Sequence, residues 1–337
     1  MTTSTMSNWA GIGRKMEESE HIPTAIRNAG LNWDVEQRPL FIGQEVNSWD
    51  EEGVARKFIP TEQLAPKHVA NYRSDTNDVL AVVGSNYEVF QNDELGALVE
   101  AVEQESEAVI ESLGSFRGGR DVFFLMKNSS FELPGEDEVH TYHFFGNNHA
   151  GERGLTVLPT SFRPFCSNML NMLLQEGRGT GFKIKHTSSM RGQIQEAITA
   201  LRKSGEEAAR FQTQCEQLAK ARVLQSDIED YFEDCYKAQY GEVANGIWEQ
   251  MDRGEKSKIT RAEEIKSQWF INLAEERRRT KEPTTLWNAM NAVTEWIDHG
   301  RTVRGEKKQT GLRAHSNILG SAAKAKEKVF KLALAEL

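Results

Sequence analysis

Near residue 190 the spacing of apolar side chains changes, and this change limits the folds open to the chain more than any other feature. Up to that point apolar residues alternate or cluster in short runs. Beyond Ser189, Ile194, Ile198, Leu201, Ala208, Phe211, Cys215 and Leu218 recur at helical intervals. Successive strand residues face opposite ways, whereas helical residues return to one face about every 3.6 positions, so the two patterns build different elements. The expected fold class is α+β: an antiparallel sheet-rich N-terminal half with packing helices, followed by a mostly helical C-terminal third.

The finer divisions follow from turn chemistry. Residues 1–12 are rich in Ser and Thr and are expected to form a flexible N-terminus, with a sheet-rich α+β domain over 13–190 and a helical region over 191–337, either packed on the first domain or separate from it. A short helix through Ile22, Ala25 and Ile26 stops at Gly30. Leu31, Trp33 and Val35 then alternate with polar residues, and Pro39 confines that strand to an edge or to its end. Gly43 to Lys67, with Pro60 and Pro66, reads as an excursion from the core. Val79 to Val83, the turn residues Gly84 to Asn86, and Tyr87 to Val89 read as a hairpin. Asn92 or Asp93 caps the following helix, whose Leu95, Leu98, Val99 and Val102 share one face. Further strands are expected at Val109–Leu113, Val122–Met126, Val139–Phe145, Leu155–Leu158 and Phe182–His186. Ser167 is read as the cap of a short helix carrying Met169 to Leu174. Later helices are expected around Tyr231, Trp248, Trp269, Trp287 to Trp296 and Ile318 to Leu334, with a charged connector at 301–311.

Composition excludes several classes. The 337 residues, 38% hydrophobic and 27% charged, suit a soluble globular chain. No run of eighteen apolar residues and no export signal is visible, so the expectation is a protein of the host-cell cytoplasm with no membrane partner. Cys166, Cys215 and Cys235 form no CxxC pair and are read as buried thiols. The net charge is −9, but residues 1–110 hold 8 Lys/Arg against 19 Asp/Glu whereas residues 153–210 hold 9 against 4. An anion groove in that basic middle is one reading, and a solvated helix face with turns is the other.

Few motifs carry chemistry. Gly114, Gly118 and Gly119 surround Arg117 and Arg120 but lack the lysine and helix of a P-loop and the spacing of a dinucleotide fingerprint. His140 and His143 point to opposite faces of one strand, so with His149 nearby they still predict no metal site. No catalytic residue and no cofactor is assigned. The loop through Asn147, His149 and Arg153 is polar and glycine-bearing and is a candidate ligand contact. Arg163 lies between Phe162 and Phe165, and Lys183 and Lys185 share one strand face just before His186 and Arg191. Cations that track phosphates beside aromatic rings suit a sequence-tolerant single-strand binder. The phenylalanines serve equally well as core, which leaves only the cations. The stripe Trp287, Met290, Val293 and Ile297 reads as core or subunit contact.

Six segments in order, GLNWDVEQRPLFI, RSDTNDVLAVVGSNYEVFQN, GSFRGGRDVFFL, RPFCSNMLNMLL, KIKHTSSM and TTLWNAMNAVTEWIDH, resemble the phage/plasmid-like proteins grouped as domain of unknown function 932. That resemblance implies a mobile-element origin and no activity. The order helix, strand, excursion, hairpin, helix is also similar to the core of the Red-beta, Erf and RecT annealing proteins. The expectation is thus a phage-type protein that binds and anneals single-stranded DNA in recombination or replication, without covalent chemistry and as a homo-oligomer. Its phosphate contacts would be Arg73, Arg117, Arg120, Arg163, Lys183, Lys185 and Arg191. Its partners would be single-stranded DNA, its own copies and a phage or host recombination protein. The alternatives are an accessory protein that captures a host protein, and a nucleotide-acting enzyme using His149 as acid or base.

Overall fold

The structure, a computed structural model, describes residues 13–17, 19–50, 53–163, 168–171, 182–194, 204–243, 250–281, 283–305 and 311–337, with backbone alone at 47–50, 53–58, 60, 168–171 and 204–207. The expectations for 1–12, Phe165 to Ser167, Met172 to Leu174, Ile198, Leu201, Trp248 and residues 306–310 of the 301–311 connector fall outside these residues.

The N-terminal half holds the antiparallel sheets and the C-terminal part is mostly helical. The main sheet runs in the order β1 (Arg14–Lys15), β5 (Val109–Phe116), β6 (Asp121–Leu133), β7 (Asp137–Asn148), β8 (Leu155–Arg163). The far edge of β8 is shared by β9 (Asn168–Asn171) and β10 (Phe182–Ile184). A smaller sheet contains β2 (Val35–Asp50), β3 (Gly53–Arg73) and β4 (Val79–Gly84).

The run Val122 to Met126 explains why the main sheet lies in the interior. Val122, Phe124 and Met126 face a core shared with Ile22 and Ile26 of α1 (Ile22–Asn28) and Leu95 and Val99 of α2 (Asn92–Gln104). Phe123 and Leu125 face the other way, onto Phe144, Phe162 and Ile318 of α7 (Leu312–Leu319). A strand buried on both faces needs apolar residues at every position, and here it has them. A third core gathers α3 (Ser204–Lys220), α4 (Gln225–Tyr240), α5 (Arg253–Thr280), α6 (Leu286–Glu295) and α8 (Ser321–Ala335) around Phe232, Trp269, Val293 and Phe330. Leu133 and Val139 of the sheet belong to this core too, so the helices pack directly on it. Cys215 and Cys235 are buried free thiols within it.

Four local expectations need correction. The residues Tyr87 to Val89 do not return as a strand: β4 pairs with β3 across the turn that contains Asn77, at φ +58°. The chain instead turns inward. The Tyr87 ring stacks on His186 at 4.6 Å, and its hydroxyl donates to the Asn148 carbonyl at 2.7 Å. The Gln91 side chain takes the place of a neighbouring strand, accepting from Val35 N–H and donating to Val35 C=O. Gln91, not Asn92 or Asp93, is the N-cap of α2, with Glu94 completing a capping box.

Second, Gly43 to Lys67 is a long antiparallel ribbon of β2 and β3. Pro39 does not end β2, because β2 is an edge strand and its pairing shifts register between Pro39 and Phe41. Third, Asn168–Asn171 pairs with β8 as a strand where a Ser167-capped helix was expected. Fourth, β10 stops at Ile184, since the His186 ring bonds the Glu88 carbonyl and draws the chain away from β8.

Candidate nucleic-acid interface

One end of the main sheet gathers most of the expected residues. The turn after β5 places Arg117 and Gly118 at φ +53° and +70°, and the loop after β7 lies against it, His149 N–H donating to the Arg120 carbonyl at 2.8 Å. Gly119 keeps the turn compact, since a Cβ there would lie 2.9 Å from the Trp33 ring.

Asp121 is the hub of this end. Arg117 Nε and Arg153 Nη2 each reach it at 2.6 Å, and Asn148 Nδ2 donates to it at 2.7 Å. Burial works to raise the carboxyl pKa, yet the two guanidinium groups and the amide hold it below the ordinary range. Arg117 also pairs with Glu152 at 2.6 Å, which lowers the Glu152 pKa. His315 of α7 receives Arg153 at 2.8 Å, and burial depresses its pKa to about 4. The imidazole is therefore neutral and accepts through Nε2.

The seven expected phosphate contacts divide into two groups. Arg73 and Arg117 are half-buried and Arg163 is buried, each paired with its own carboxylates. Arg73 chelates Asp75 at 2.8 Å and 3.0 Å, bonds the Gly118 carbonyl and lies over the Trp33 ring. Arg163 is 3% exposed, against Asp137 at 2.5 Å and Glu276 at 2.7 Å, where it ties β8 to α5. It is a buried structural cation and has no access to a ligand. By contrast Arg120, Lys183 and Lys185 are exposed, and Arg191 forms an exposed pair with Glu94.

In the expected ligand loop Arg153 lines the cavity at the start of α8, and it shares a smaller cavity of about 10 Å³ with Asn147. Asn147 is buried and donates to the Phe90 carbonyl. His149 is buried between Trp33 and Asn92, its Nε2 2.9 Å from Asn92 Oδ1, and its carbonyl accepts from Asn71. Burial lowers its pKa to about 3, so at neutral pH it is an uncharged joint between the two sheets and α2. His140 and His143 point from opposite faces of β7, as strand geometry requires. Among the described residues no three His, Cys, Asp or Glu side chains are grouped to hold a metal ion.

The sequence reading expected the helix that ends at Ala335 but missed its cationic face. Lys324, Lys328 and Lys331 are exposed on α8, opposite Ala322, Ala325, Val329 and Phe330, which face the core. Their spacing of four and three places them on one stripe. A helical projection of 321–335 reveals it, because no apolar residue interrupts that face. Lys183 and Lys324 line the same cavity of about 70 Å³ between β8, β10 and the start of α8, so the β10 lysine and the first lysine of the α8 stripe are neighbours. Another cleft, of about 320 Å³, lies between α1 and α2. Its rim carries Asp34, Asp93 and Glu100 against Arg27 alone, which suits a polyanion poorly.

No helix among the described residues is long and apolar enough to cross a membrane. No curated protein and no solved structure matches the chain. A family model does match it, over residues 79–318, a span that contains the Asp121 hub, the loop at Asn147 to Arg153 and β10. The chain belongs to that family, described as a domain of unknown function, DUF932.

Proposed function

We propose that this chain is a non-covalent single-stranded DNA binding and annealing protein of phage or plasmid origin, acting as an oligomer in recombination or replication in the host cytoplasm. The observation that carries the reading is the lysine ridge. Lys183 and Lys324 line one cavity, with Glu327 as the one carboxylate on its wall. Lys185 is exposed two positions beyond Lys183, and Lys328 and Lys331 are exposed one and two turns further along α8, where Lys328 Nζ donates to the Ala238 carbonyl at 2.9 Å. Glu327 is engaged by Lys331 at 2.8 Å. A local cationic strip of this kind can hold a phosphodiester chain even though the net charge is −9. The likeness in element order to Red-beta, Erf and RecT supports the same reading by analogy.

The ribbon favours a second reading, contact with another protein. Phe41 and Leu64 pair across β2 and β3 and are each 54% exposed, and Ile42 and Ile59 are exposed nearby. A two-stranded ribbon is marginally stable alone in water, so its apolar side chains serve association with copies of the chain or with a host or phage protein. The enzymatic alternative loses its acid or base, because His149 is sealed from solvent.

The test is fluorescence anisotropy of a labelled oligonucleotide at low salt, with light scattering for assembly and a fluorescence assay for annealing of complementary strands. Saturable binding and faster annealing are expected. A well-folded protein that leaves the oligonucleotide free at low salt removes the reading.

A further inference from the structure

The cavity joining the two halves of the ridge has a more specific chemistry than the ridge itself. Arg153, Lys183 and Lys324 come from three separate elements and line one space of about 70 Å³. The volume suits a single phosphoryl group and is far below what a nucleobase or a drug-sized ligand needs. Arg153 is oriented before any ligand arrives, since Asp121 and His315 hold its Nη2 while no contact among the described residues engages its Nε or Nη1. Lys183 is fixed at its base by β10, paired through Thr156, and Lys324 by the first turn of α8. Thr156 also lines the cavity, although its hydroxyl donates to the Gly154 carbonyl. Glu327 is the one carboxylate on the wall, and its charge is offset by Lys331 at 2.8 Å.

Asp121 offsets the charge of Arg153 from one side, but Lys183 and Lys324 pair with no carboxylate among the described residues, so the wall carries an excess of positive charge that an entering anion relieves. A tetrahedral phosphoryl group, with two or more acceptor oxygens, meets a guanidinium and two ammonium groups better than a spherical halide does. We infer that this cavity is a binding site for one phosphoryl group, held by Arg153, Lys183 and Lys324. The inference rests on the nucleic-acid reading for the source of the group, a strand phosphate, and on the cavity alone for its chemistry.

Thermal unfolding in sodium phosphate, compared with sodium chloride at equal ionic strength, tests the cavity. The full chain is expected to show a saturable rise in Tm with phosphate. The double variant Lys183→Gln/Lys324→Gln is expected to lose that rise, while its Tm in chloride stays equal to wild type or higher because like charges have been removed. No phosphate effect in wild type, or the same effect in the double variant, overturns the inference. Oligonucleotide binding separates the two layers. If the double variant binds the oligonucleotide as wild type does, neither lysine contacts the strand, and the inference that the cavity holds a strand phosphate fails while the nucleic-acid reading survives. If phosphate saturates the cavity but no oligonucleotide binds, the nucleic-acid reading fails and the phosphoryl site stands. A 5′-phosphorylated oligonucleotide competing better than its unphosphorylated twin identifies a terminal phosphate as the group held, and equal competition identifies an internal phosphodiester.

Discussion

Replacing Arg163 by methionine separates a structural cation from a ligand-binding one. Arg163 is 3% exposed and sits between two carboxylates that are buried as deeply, Asp137 at 2.5 Å and Glu276 at 2.7 Å, with the Trp287 indole donating to Asp137 at 2.7 Å. Removing the cation leaves two negative charges out of reach of water, and breaking a buried pair in this way costs about 3–5 kcal/mol. For a chain of this size that is a fall in Tm on the order of 5–10 °C. The loss depends on pH in a definite direction. Burial already raises the Glu276 pKa against the pull of Arg163, and without Arg163 it rises further. A folded pKa above the unfolded one means that stability is present at low pH and lost as pH rises through the folded value. The deficit of the variant is therefore larger at pH 8 than at pH 5. Urea denaturation at both pH values measures it, and adding Glu276→Gln should recover part of the loss. Arg191→Ala is the control, since its pair with Glu94 is 63% and 31% exposed and contributes less than about 1 kcal/mol. A stable Arg163→Met variant with weakened oligonucleotide binding would falsify this account of the residue.

Other perturbations give equally definite outcomes. His143 and His149 are buried and neutral with pKa values lowered to about 4 and about 3, so their contribution is full above the unfolded value and is lost as pH falls. Between pH 7 and pH 5 each should remove about 2 kcal/mol from the unfolding free energy, and equal stability at the two pH values sinks the assignment. Gly154→Ala places a Cβ 2.1 Å from the Ile184 carbonyl, so it should push β10 off β8, lower Tm and weaken oligonucleotide binding together through Lys183. A variant with unchanged Tm contradicts the tight packing of that edge. Phe41→Ser with Leu64→Ser should leave stability within about 1 kcal/mol of wild type, because both side chains are exposed. The same pair should reduce the assembly mass in light scattering, and an unchanged mass excludes the ribbon from self-association.

Where the sequence reading held and where it failed has a physical pattern. The strands at Val109, Val122, Val139 and Leu155 and the stripe on α2 were legible because their apolar residues must face a core, and burial imposes the period. The ribbon was not legible, since Gln44, Glu45, Glu62 and Gln63 are exposed and break the alternation of apolar and polar residues that marks a half-buried strand. Tyr87 and Val89 were misread because alternation marks any extended segment, and the partner that would make it a strand is supplied by one Gln91 side chain. The candidate site divides in the same way. Residue type marked Arg117, Arg153 and Lys183, which the fold does bring to one end of the sheet. Whether an arginine is free or neutralised depends on distant partners, and Glu276 lies more than a hundred positions from Arg163. Local spacing carries no trace of that pairing.

The most direct test of the central claim is the salt dependence of oligonucleotide affinity for wild type and for a variant with Lys183, Lys185, Lys324, Lys328 and Lys331 all changed to Gln. Each phosphate contact on a single strand contributes about 0.7 to the slope of log affinity against log salt. The account predicts that the variant stays folded, since all five lysines are exposed, and that both its affinity at low salt and its slope fall well below wild type. A folded variant that binds with the wild-type affinity and slope contradicts the claim that this ridge is the nucleic-acid interface.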